Sequence, residues 1–332
     1  MADKLDNAAA LNIVKFINKN DNFLLAAHVN ADGDAIASLI AMNLLLKKMG
    51  KSAIMVLHDQ NKDTRYDFLS SFEDIQYFSD SLPLKNYLKS GRIESAVLLD
   101  VPSFSRLGDC CKILPAKDKV IKIDHHPFEE EMGEIEWIDE NRSSASALVY
   151  EIIRLSGVEF ELPMAQAVYT GILYDTGRFS YSNTKAQDLF IASEMVRLGV
   201  EPAEITNRIF FENSFESLKT IGAGLVSLES YLDGAVNVIY LNLSQMSGQN
   251  QNEIEELANY CVAVRHGRAG LFIREVEPGF HKISLRSKSN IDVNKVARAF
   301  NGGGHIRAAG CRIHGTKEEI LQKILAEIKK QL

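Results

Sequence analysis

A histidine and two aspartates follow the first buried apolar run of the chain. Residues 23–27 read Phe-Leu-Leu-Ala-Ala, and His28, Asp32 and Asp34 come directly after them. Carboxylate oxygens suit hard cations such as Mg²⁺ or Mn²⁺, and an added imidazole shifts the preference toward a transition metal. One mononuclear site does not easily use all three groups at this spacing, so we expect further ligands elsewhere in the chain.

Further acidic and imidazole groups stand where other apolar segments end. They are Asp100 after residues 96–99, Asp124, His125 and His126 after residues 120–123, and Asp175 after residues 171–174. A lone aspartate at such a place is more simply a turn residue or a helix cap. Several buried carboxylates in one place repel each other and take up protons unless cations are bound. Two divalent ions about 3.5–4 Å apart, sharing a bridging carboxylate, would use the whole set and form a clamp for phosphoryl hydrolysis. Gly33 and Gly177 are expected to allow the tight turns beside these ligands.

The elements that must position these groups alternate between helical and strand-like patterns. The predicted elements are a helix over 11–16, a strand over 23–27, a helix over 36–49, and strands over 52–57, 96–99 and 120–123. Short buried apolar strands separated by helices predict an α/β domain with a mostly parallel sheet and helices on both faces. Because ligands of such sheets gather at the carboxyl ends of the strands, the acidic groups are expected to meet there.

In the second half of the chain the predicted elements no longer alternate between helix and strand. Predicted helices over 144–155, 164–173 and 185–198 are followed by strands over 236–241, 261–264, 270–276 and 281–285, and then by helices around a glycine cluster. The sequence therefore predicts a smaller, mixed α/β C-terminal domain. The predicted domains are a metal-binding catalytic domain over 1–200, a helical connection over 201–232 and a substrate-binding domain over 233–332.

Composition and charge restrict the class of protein. The 332 residues are 46% hydrophobic and 24% charged, as in an ordinary globular protein, and no apolar run approaches the length of a membrane span. Four cysteines without a Cys-x-x-Cys pair favour a reducing cytoplasm and argue against a disulfide framework. The net charge of −7 argues against a stable complex with long nucleic acid. Residues 261–312, however, contain ten Lys or Arg against three acidic residues. This basic stretch suits a small anionic substrate, although scattered solvated charges are the simpler interpretation of any one of them.

Several of these segments together resemble the successive motifs of the DHH phosphoesterase superfamily. They are residues 28–34, Asp100, Asp124-His125-His126 and Tyr174-Asp175-Thr176. Residues 302–310 read Gly-Gly-Gly-His-Ile-Arg-Ala-Ala-Gly and resemble the signature of the DHH-associated C-terminal domain. Each motif alone is unspecific, whereas their joint presence in this order over nearly the whole chain identifies the resemblance.

The resemblance implies two divalent ions, with Mn²⁺ expected and Mg²⁺ or Co²⁺ as alternatives. The ligands of the first ion would be His28, Asp32 and Asp100, and those of the second Asp34, Asp100, His125 and Asp175. Asp124 would orient a histidine without binding metal itself. The catalytic residues would be Asp100, Asp175 and His126, acting with a metal-bridging water or hydroxide. His126 would either stabilise the phosphoryl oxygens or protonate the leaving alkoxide.

The basic half offers its own candidates for substrate binding. They are Gly302, Gly303, Gly304, His305, Arg307, Arg286, Arg265 and His266. The small residues after the glycine run are predicted to begin a helix, whose free backbone amides can meet a phosphate. Arg286, near the end of a predicted strand, resembles the arginine with which this domain holds a substrate phosphate. A flexible turn for the glycines and a solvated strand end for Arg265 and His266 are the simpler alternatives.

Length and missing segments narrow the implied activity. The chain has no spare length for the extra nucleic-acid-binding domain of the superfamily's long-DNA exonucleases, and no membrane or sensory segments like those of its cyclic-dinucleotide phosphodiesterases. The resemblance implies hydrolysis of very short RNA (nanoRNA) to mononucleotides and of 3′-phosphoadenosine 5′-phosphate to AMP. A linear-dinucleotide phosphodiesterase, a polyphosphatase and a non-catalytic nucleotide sensor remain alternatives. The expected partners are short RNA and nucleotide bisphosphate as substrates, with no membrane, and a homodimer is left open.

Overall fold

The structure is a computed structural model, and it describes residues 7–59, 62–78, 91–246, 254–288 and 290–332. The chain forms two compact units, Met1–Phe211 and Glu212–Leu332. Among the described residues, no helix combines the length and the apolar character needed to cross a membrane.

The first unit is built on a six-stranded parallel sheet. Its strands are β1 (Phe23–Ala26), β2 (Ala53–Leu57), β3 (Gln76–Tyr77), β4 (Ser95–Leu99), β5 (Val120–Asp124) and β6 (Ile135–Ile138). Their order in the sheet is β3-β2-β1-β4-β5-β6. Every residue of β1, β4 and β5 is buried, as expected for central parallel strands covered on both faces.

Helices cover both faces of this sheet. The helices of the first unit are α1 (Asn7–Lys19), α2 (Gly33–Lys48), α3 (Phe104–Leu107), α4 (Ala145–Ser156), α5 (Leu162–Asp175), α6 (Ala186–Arg197) and α7 (Pro202–Thr206), with a π-helical turn over Asn207–Phe211. The larger core lies under the long helices and contains Phe23 and Leu25 of β1. The opposite face buries Leu24 and Ala26 against α3 and the 3-10 segment Gly108–Ile113. The predicted doubly covered parallel sheet is therefore confirmed.

The second unit has a mixed six-stranded sheet. Its strands are β7 (Glu229–Tyr231), β8 (Val236–Leu241), β9 (Ala269–Glu277), β10 (Phe280–Ser287), β11 (Gly303–Gly304) and β12 (Ala308–His314), in the order β11-β12-β10-β9-β8-β7. Among the described residues, β8 and β9 pair in parallel and the other neighbouring strands of this sheet pair antiparallel. The helices are α8 (Phe215–Val226), α9 (Leu243–Met246), α10 (Leu257–Ala263), α11 (Val293–Arg298) and α12 (Lys317–Lys329). This arrangement confirms the smaller mixed α/β domain.

Two predicted elements of the second unit are wrong. Residues 261–264, predicted as a strand, lie largely in α10, whose buried face consists of Leu257, Ala258 and Cys261. The small residues after the glycine run, predicted to begin a helix, form strand β12 instead. Strand β12 pairs with β10 from Ala308 to His314, and this pairing overrides the helical preference of the two consecutive alanines.

The residues predicted as a helical connection, 201–232, are divided between the two units. Ile205 and Ile209 belong to the core of the first unit. Helix α8 follows the boundary at Phe211 and belongs to the second unit, as does strand β7. Much of the stretch is helical, as predicted, but the helices pack into the two domains.

Candidate metal centre

The candidate ligands converge at the place where the strand order of the first sheet reverses. From β1 the chain proceeds outward through β2 and β3, and from β4 it proceeds in the other direction through β5 and β6. Crevices at the carboxyl ends of strands beside such a reversal are the usual ligand sites of open parallel sheets. His28 follows β1, Asp100 follows β4, and Asp124 ends β5.

The loop after β1 leads directly into the first turn of α2. Asp32 is the N-cap of this helix, and its Oδ1 accepts hydrogen bonds from the backbone N–H groups of Asp34 and Ala35. Asp59, which the sequence interpretation missed, accepts from the N–H groups of Asn30 and Ala31 at 2.5 and 2.8 Å. Carboxylates therefore hold both the middle of the loop and its junction with α2.

Gly33, between the two aspartates, is required for a different reason from the one predicted. It does not adopt a left-handed turn conformation. A Cβ at this position would lie 2.5 Å from Cγ of Tyr174 and 2.7 Å from the hydroxyl of Tyr66, so glycine permits close packing. Gly177, with a φ of +54°, does form the predicted turn.

Asp34 is fully buried and is fixed by the start of a second helix. Its two carboxylate oxygens accept from the N–H groups of Ala145 and Ser146 at 2.6 and 3.0 Å, in the first turn of α4. Gly171 of α5 lies against the same carboxylate, since a Cβ there would be 2.5 Å from Asp34 Oδ1. Backbone N–H groups at a helix N-terminus favour a negative charge on Asp34 and partly oppose the effect of its burial.

Asp100 lies at the middle of the cluster. Its Oδ2 is 3.4 Å from His28 Nε2, and its Oδ1 is 3.3 Å from His125 Nε2 and 3.4 Å from His126 Nδ1. The residue has a φ of +54°, which is rare for a side-chain-bearing residue and typical of functional positions. One carboxylate therefore lies within 3.5 Å of three imidazoles.

The remaining candidates complete the cluster from two further elements. Asp175, at the end of α5, has its Oδ2 3.1 Å from His125 Nε2, and Asp34 Oδ2 is 3.8 Å from the same nitrogen. Asp124 Oδ1 is 2.8 Å from His126 Nδ1 and accepts the backbone N–H groups of His125 and His126. Asp124 thereby fixes the backbone and one ring of the two histidines that follow it.

Burial and mutual charge displace the pKa values of these groups. Burial alone would lower the pKa values of His28 and His125, but hydrogen bonds to carboxylates, including Asp100, raise both well above the ordinary value. Burial and the charges of neighbouring carboxylates raise the pKa values of Asp34 and Asp175. The pKa of Asp100 lies well below its ordinary value, because hydrogen bonds to His125 and His28 outweigh its burial. Without metal, protons on the imidazoles supply the positive charge that balances these carboxylates.

This donor set fits divalent cations. The sites can be described by one potential ligand atom from each residue. These atoms lie within 4.8 Å of one another in the group His28, Asp32 and Asp100, and likewise in the group Asp34, Asp100 and His125. A third such group is formed by Asp100, Asp124 and His126. Asp100 Oδ1 is fully buried and faces His125 Nε2 at 3.3 Å and His126 Nδ1 at 3.4 Å, so two imidazole nitrogens meet at one carboxylate oxygen. Mixed carboxylate and imidazole ligands suit Mn²⁺ and related ions.

The predicted substrate-binding residues of the second unit gather near one end of its sheet. Arg286 in β10 pairs with Ala308, and its guanidinium donates to Asn259 Oδ1 of α10 at 3.2 Å. Gly303 and Gly304 form β11 against β12, and His305 N–H donates to Ala308.

The other predicted binding residues flank this group. Arg307 donates to the carbonyl of Ile291, and Gly302 lies so close to Gly310 that a Cβ would be 2.2 Å from the Gly310 carbonyl oxygen. Arg265 and His266 are exposed in the loop between α10 and β9, and His266 has a φ of +65°.

Comparison with known proteins identifies both units. The N-terminal domain model of the DHH family matches residues 22–172, and the DHHA1 domain model matches residues 235–332. Residues 22–172 form a DHH-family domain, and residues 235–332 form a DHHA1 domain. The cluster around Asp100 lies within or directly after the DHH domain match, and Arg286 and the glycine segment lie within the DHHA1 match.

Similar proteins align with this chain over nearly its full length. Proteins named bifunctional oligoribonuclease and PAP phosphatase NrnA are 28% identical in Thermus thermophilus and 27% identical in Bacillus subtilis. The alignments cover 93% and 96% of this chain and 89% and 96% of those proteins. The crystal structure of an exopolyphosphatase-related protein from Bacteroides fragilis superposes with a TM-score of 0.90 at 25% identity, covering 99% of this chain and 98% of that one.

Sequence interpretation missed the residues of the DHH domain that hold the candidate ligands. Besides Asp59, they include Ser146, whose N–H binds Asp34, and Lys122, which is fully buried in β5. Lys122 Nζ donates to the carbonyls of Pro102 and Glu130 and lies 3.9 Å from Asp124 Oδ2. The serine-rich start of α4 was a visible N-cap signal, whereas a buried lysine in a strand has no comparable sequence signature.

Proposed function

We propose that this protein is a metal-dependent phosphoesterase that hydrolyses very short RNA to mononucleotides and converts 3′-phosphoadenosine 5′-phosphate to AMP. The observation that carries the proposal is the pair of donor groups that share Asp100, since two cations sharing one carboxylate are a common device of phosphoryl hydrolysis. The names of its full-length relatives support the choice of substrates. Four free thiols suit the reducing cytoplasm, where we place the enzyme.

Two divalent ions would be held at the centre, and Mn²⁺ is the proposed ion. One would bind His28, Asp32 and Asp100; the other would bind Asp34, Asp100, His125 and Asp175. When bound, the ions would polarise the phosphoryl group and lower the pKa of water so that it attacks near neutral pH. The protein fixes these ligands in advance through the first turns of α2 and α4, so little ordering remains to be done when metal binds.

His126 and Asp124 are proposed to act on the substrate side of the reaction. Asp124 Oδ1 fixes Nδ1 of His126 and thereby the orientation of the ring. A protonated His126 can then donate from Nε2 to a phosphoryl oxygen or to the departing alkoxide. Burial alone would raise the pKa of Asp124, but its hydrogen bond to His126 lowers it, so the carboxylate stays ionised and accepts from the ring.

The DHHA1 unit is proposed to bind a substrate phosphate. Arg286 offers a planar guanidinium held by Asn259, and Gly303, Gly304 and the turn to Arg307 bring backbone close beside it. Arginine binds phosphate through paired N–H groups, which suits terminal phosphates of short substrates. Arg265 and His266, both exposed, are proposed as further contacts.

A substrate panel tests the proposal. Purified protein with Mn²⁺ or Mg²⁺ is given RNA of two to five nucleotides, 3′-phosphoadenosine 5′-phosphate, pApA, pyrophosphate and polyphosphate. We expect Mn²⁺-dependent release of AMP from the bisphosphate and of mononucleotides from the RNA, and loss of both activities in Asp100→Asn. Failure to cleave either the short RNA or the bisphosphate would refute the proposal, and exclusive cleavage of polyphosphate would assign the site to a different substrate class.

A further inference from the structure

Three consecutive residues, beginning two positions after the candidate ligand Asp175, adopt left-handed backbone conformations. Gly177, Arg178 and Phe179 have φ values of +54°, +61° and +59°. Only the first lacks a side chain, and bulky residues rarely adopt this region. Such conformations persist where the surrounding structure enforces them, and they concentrate at functional sites.

The turn is held by specific hydrogen bonds. Arg178 N–H donates to the carbonyl of Leu173 at 2.8 Å, and Phe179 N–H donates to the hydroxyl of Thr176 at 3.1 Å. The Thr176 hydroxyl in turn donates to the carbonyl of Ile172 at 2.6 Å. The strained turn is therefore tied to the last turn of α5, which carries Asp175.

The turn places the guanidinium of Arg178 beside two aromatic rings of the π-helical segment. Its Cζ is 4.8 Å from the ring centroid of Phe210 and 5.6 Å from that of Phe211, both within the range of cation–π contacts. π-Helical turns are rare and are frequently found at functional sites. Two unusual backbone segments thus meet at Arg178.

A continuous set of contacts joins this pair of elements to the metal centre. The ring of Tyr174 stacks on Phe210 with centroids 6.2 Å apart and planes 19° apart. The same Tyr174 ring packs against Gly33, which lies between Asp32 and Asp34. Phe210 is therefore one side chain, Tyr174, removed from the loop that carries Asp32 and Asp34, and Arg178 in turn contacts the Phe210 ring.

The exposure of Phe211 leaves its ring accessible to a ligand beside Arg178. Its side chain is 62% exposed, although burying an aromatic ring is favourable and Phe210 beside it is partly buried. Exposed aromatic rings next to an arginine are the usual means of holding single-stranded nucleotides, through base stacking and phosphate binding.

We propose that Arg178 and Phe211 form a nucleotide-binding subsite of the first unit, in which the Phe211 ring stacks on a base and Arg178 binds a substrate phosphate. The subsite rests on the proposed function, because it would hold a nucleotide of the same short RNA that the metal centre cleaves. It would make the enzyme selective for substrates that carry a base near the scissile phosphate. Both residues are binding residues, and neither is assigned a role in proton transfer.

The first test separates binding from catalysis in steady-state kinetics with pApA. We expect Arg178→Gly and Phe211→Leu each to raise KM about tenfold and to leave kcat within about twofold, in line with the loss of one stacking or phosphate contact. Arg178→Gly should not lower the melting temperature, because glycine adopts the left-handed conformation without strain. Phe190→Leu and Arg197→Gln are matched controls, since Phe190 is 53% exposed and Arg197 lies exposed on α6. An unchanged KM in both test variants, or a change confined to kcat, would overturn the proposal.

The second test needs no metal and no turnover. Phe211→Trp places a fluorophore at the subsite, whereas the natural Trp137 is buried. In EDTA, pApA should quench the new tryptophan in a saturable manner, and an analogue that lacks one base should bind about tenfold more weakly. Phe190→Trp should show no saturable quenching. Equal quenching by both ligands, or quenching at position 190, would refute base stacking at Phe211.

The two proposals fail in different ways. If the wild-type protein cleaves no short RNA and no bisphosphate, the proposed function is wrong whatever the variants do. If the wild-type protein cleaves them while the Arg178 and Phe211 variants match their controls, only the subsite is wrong.

Discussion

Asp100 shows how much of the centre depends on one side chain. Its carboxylate faces His28, His125 and His126 within 3.5 Å, and its own backbone adopts a left-handed conformation. Conformations of this kind cost about 1–3 kcal/mol, so the fold stabilises Asp100 here at some cost to its overall stability. The N–H group of Asp100 donates to the carbonyl of Ile123 on the neighbouring strand, and this bond helps to hold the residue in place.

Metal binding at this centre should release protons and strengthen as pH rises. Hydrogen bonds to carboxylates raise the pKa values of His28 and His125 in the metal-free protein, and burial and neighbouring charge raise that of Asp34. A metal binds only the deprotonated groups, so protons compete with it below these pKa values and compete less above them. Calorimetric titration with Mn²⁺ at pH 6, 7 and 8, in buffers of different ionisation enthalpy, should show tighter binding and less proton release at higher pH. Affinity that is independent of pH would contradict this charge balance.

Gly171 should be required for the position of Asp34. In Gly171→Ala the new Cβ would fall 1.9 Å from Ser146 Oγ and 2.5 Å from Asp34 Oδ1. Overpacking of this kind costs about 1–3 kcal/mol, and displacing a metal ligand typically costs about tenfold or more in metal affinity. Urea unfolding and Mn²⁺ titration measure the two effects.

Gly222→Ala is the control for that substitution. Gly222 also lies within a helix, α8, but a Cβ there would meet nothing within 4 Å. Alanine should therefore stabilise the helix by up to about 1 kcal/mol and leave metal affinity unchanged. Equal effects of the two substitutions would show that Gly171 matters only for helix propensity.

The chemical types of the candidate ligands could be predicted from the sequence, but the residues that hold those ligands in place could not. His28, Asp100 and Asp124 follow buried strands, and the parallel sheet brings such positions to one edge. The packing of Gly171 on Asp34, and of Tyr174 on Gly33, joins residues more than a hundred positions apart. No local pattern reports contacts of that kind.

At the scale of elements, strands buried on both faces were predicted correctly. Prediction failed where packing against other elements decides between helix and strand. β1, β4 and β5 are buried on both faces and read as short apolar runs. The run Cys261-Val262-Ala263-Val264 is also apolar, yet its first three residues end helix α10, because one helical face is buried against the sheet. Four residues are too few to separate the two periodicities.

One face of the second sheet carries an ion cluster whose loss should destabilise that unit. Glu255 accepts from Ser284 and lies 2.8 Å from Arg274 of β9 and 3.7 Å from Lys282 of β10. Glu255→Gln removes the negative charge that lies 2.8 Å from the guanidinium of Arg274, which is fully buried. We expect the free energy of unfolding at pH 7 to fall by about 2 kcal/mol, against no change in Glu277→Gln, an exposed residue of β9.

The loss of stability caused by Glu255→Gln should change with pH in a defined direction. Burial alone would raise the pKa of Glu255, but the charges of Lys282 and Arg274 hold it well below its ordinary 4.5. The stabilisation is therefore fully present above pH 4.5 and is lost as pH falls toward the depressed pKa. Urea unfolding of wild type and Glu255→Gln between pH 7 and 3 should show the two curves converging in acid. A gap that widens on acidification would show that Glu255 is not ionised in the native state.

At the scale of the whole molecule, charge is distributed unevenly along the chain. Residues 261–312 have a formal charge of +7, and the rest of the chain has −14. A basic region of this size can bind a few phosphates, but the acidic remainder opposes the accumulation of a long polyanion. The chain therefore suits substrates that offer one or two phosphates to Arg286 and its neighbours more than it suits long RNA.

This charge distribution predicts that substrate affinity depends only weakly on salt concentration. Replacement of one arginine should weaken that dependence further. For single-stranded nucleic acid, the logarithm of the binding constant falls linearly with the logarithm of the salt concentration. Each phosphate contact adds about 0.7 to the magnitude of that slope. For pApA we expect a slope of magnitude about 1–2 for wild type, and a value about 0.7 lower for Arg286→Gln, with weaker binding at every salt concentration. Lys330→Gln is the control, because Lys330 is exposed and paired with Glu327 at 2.6 Å. If both variants keep the wild-type slope, Arg286 does not contact a phosphate; a wild-type slope several units steeper would indicate a long polyanion track and a longer natural substrate.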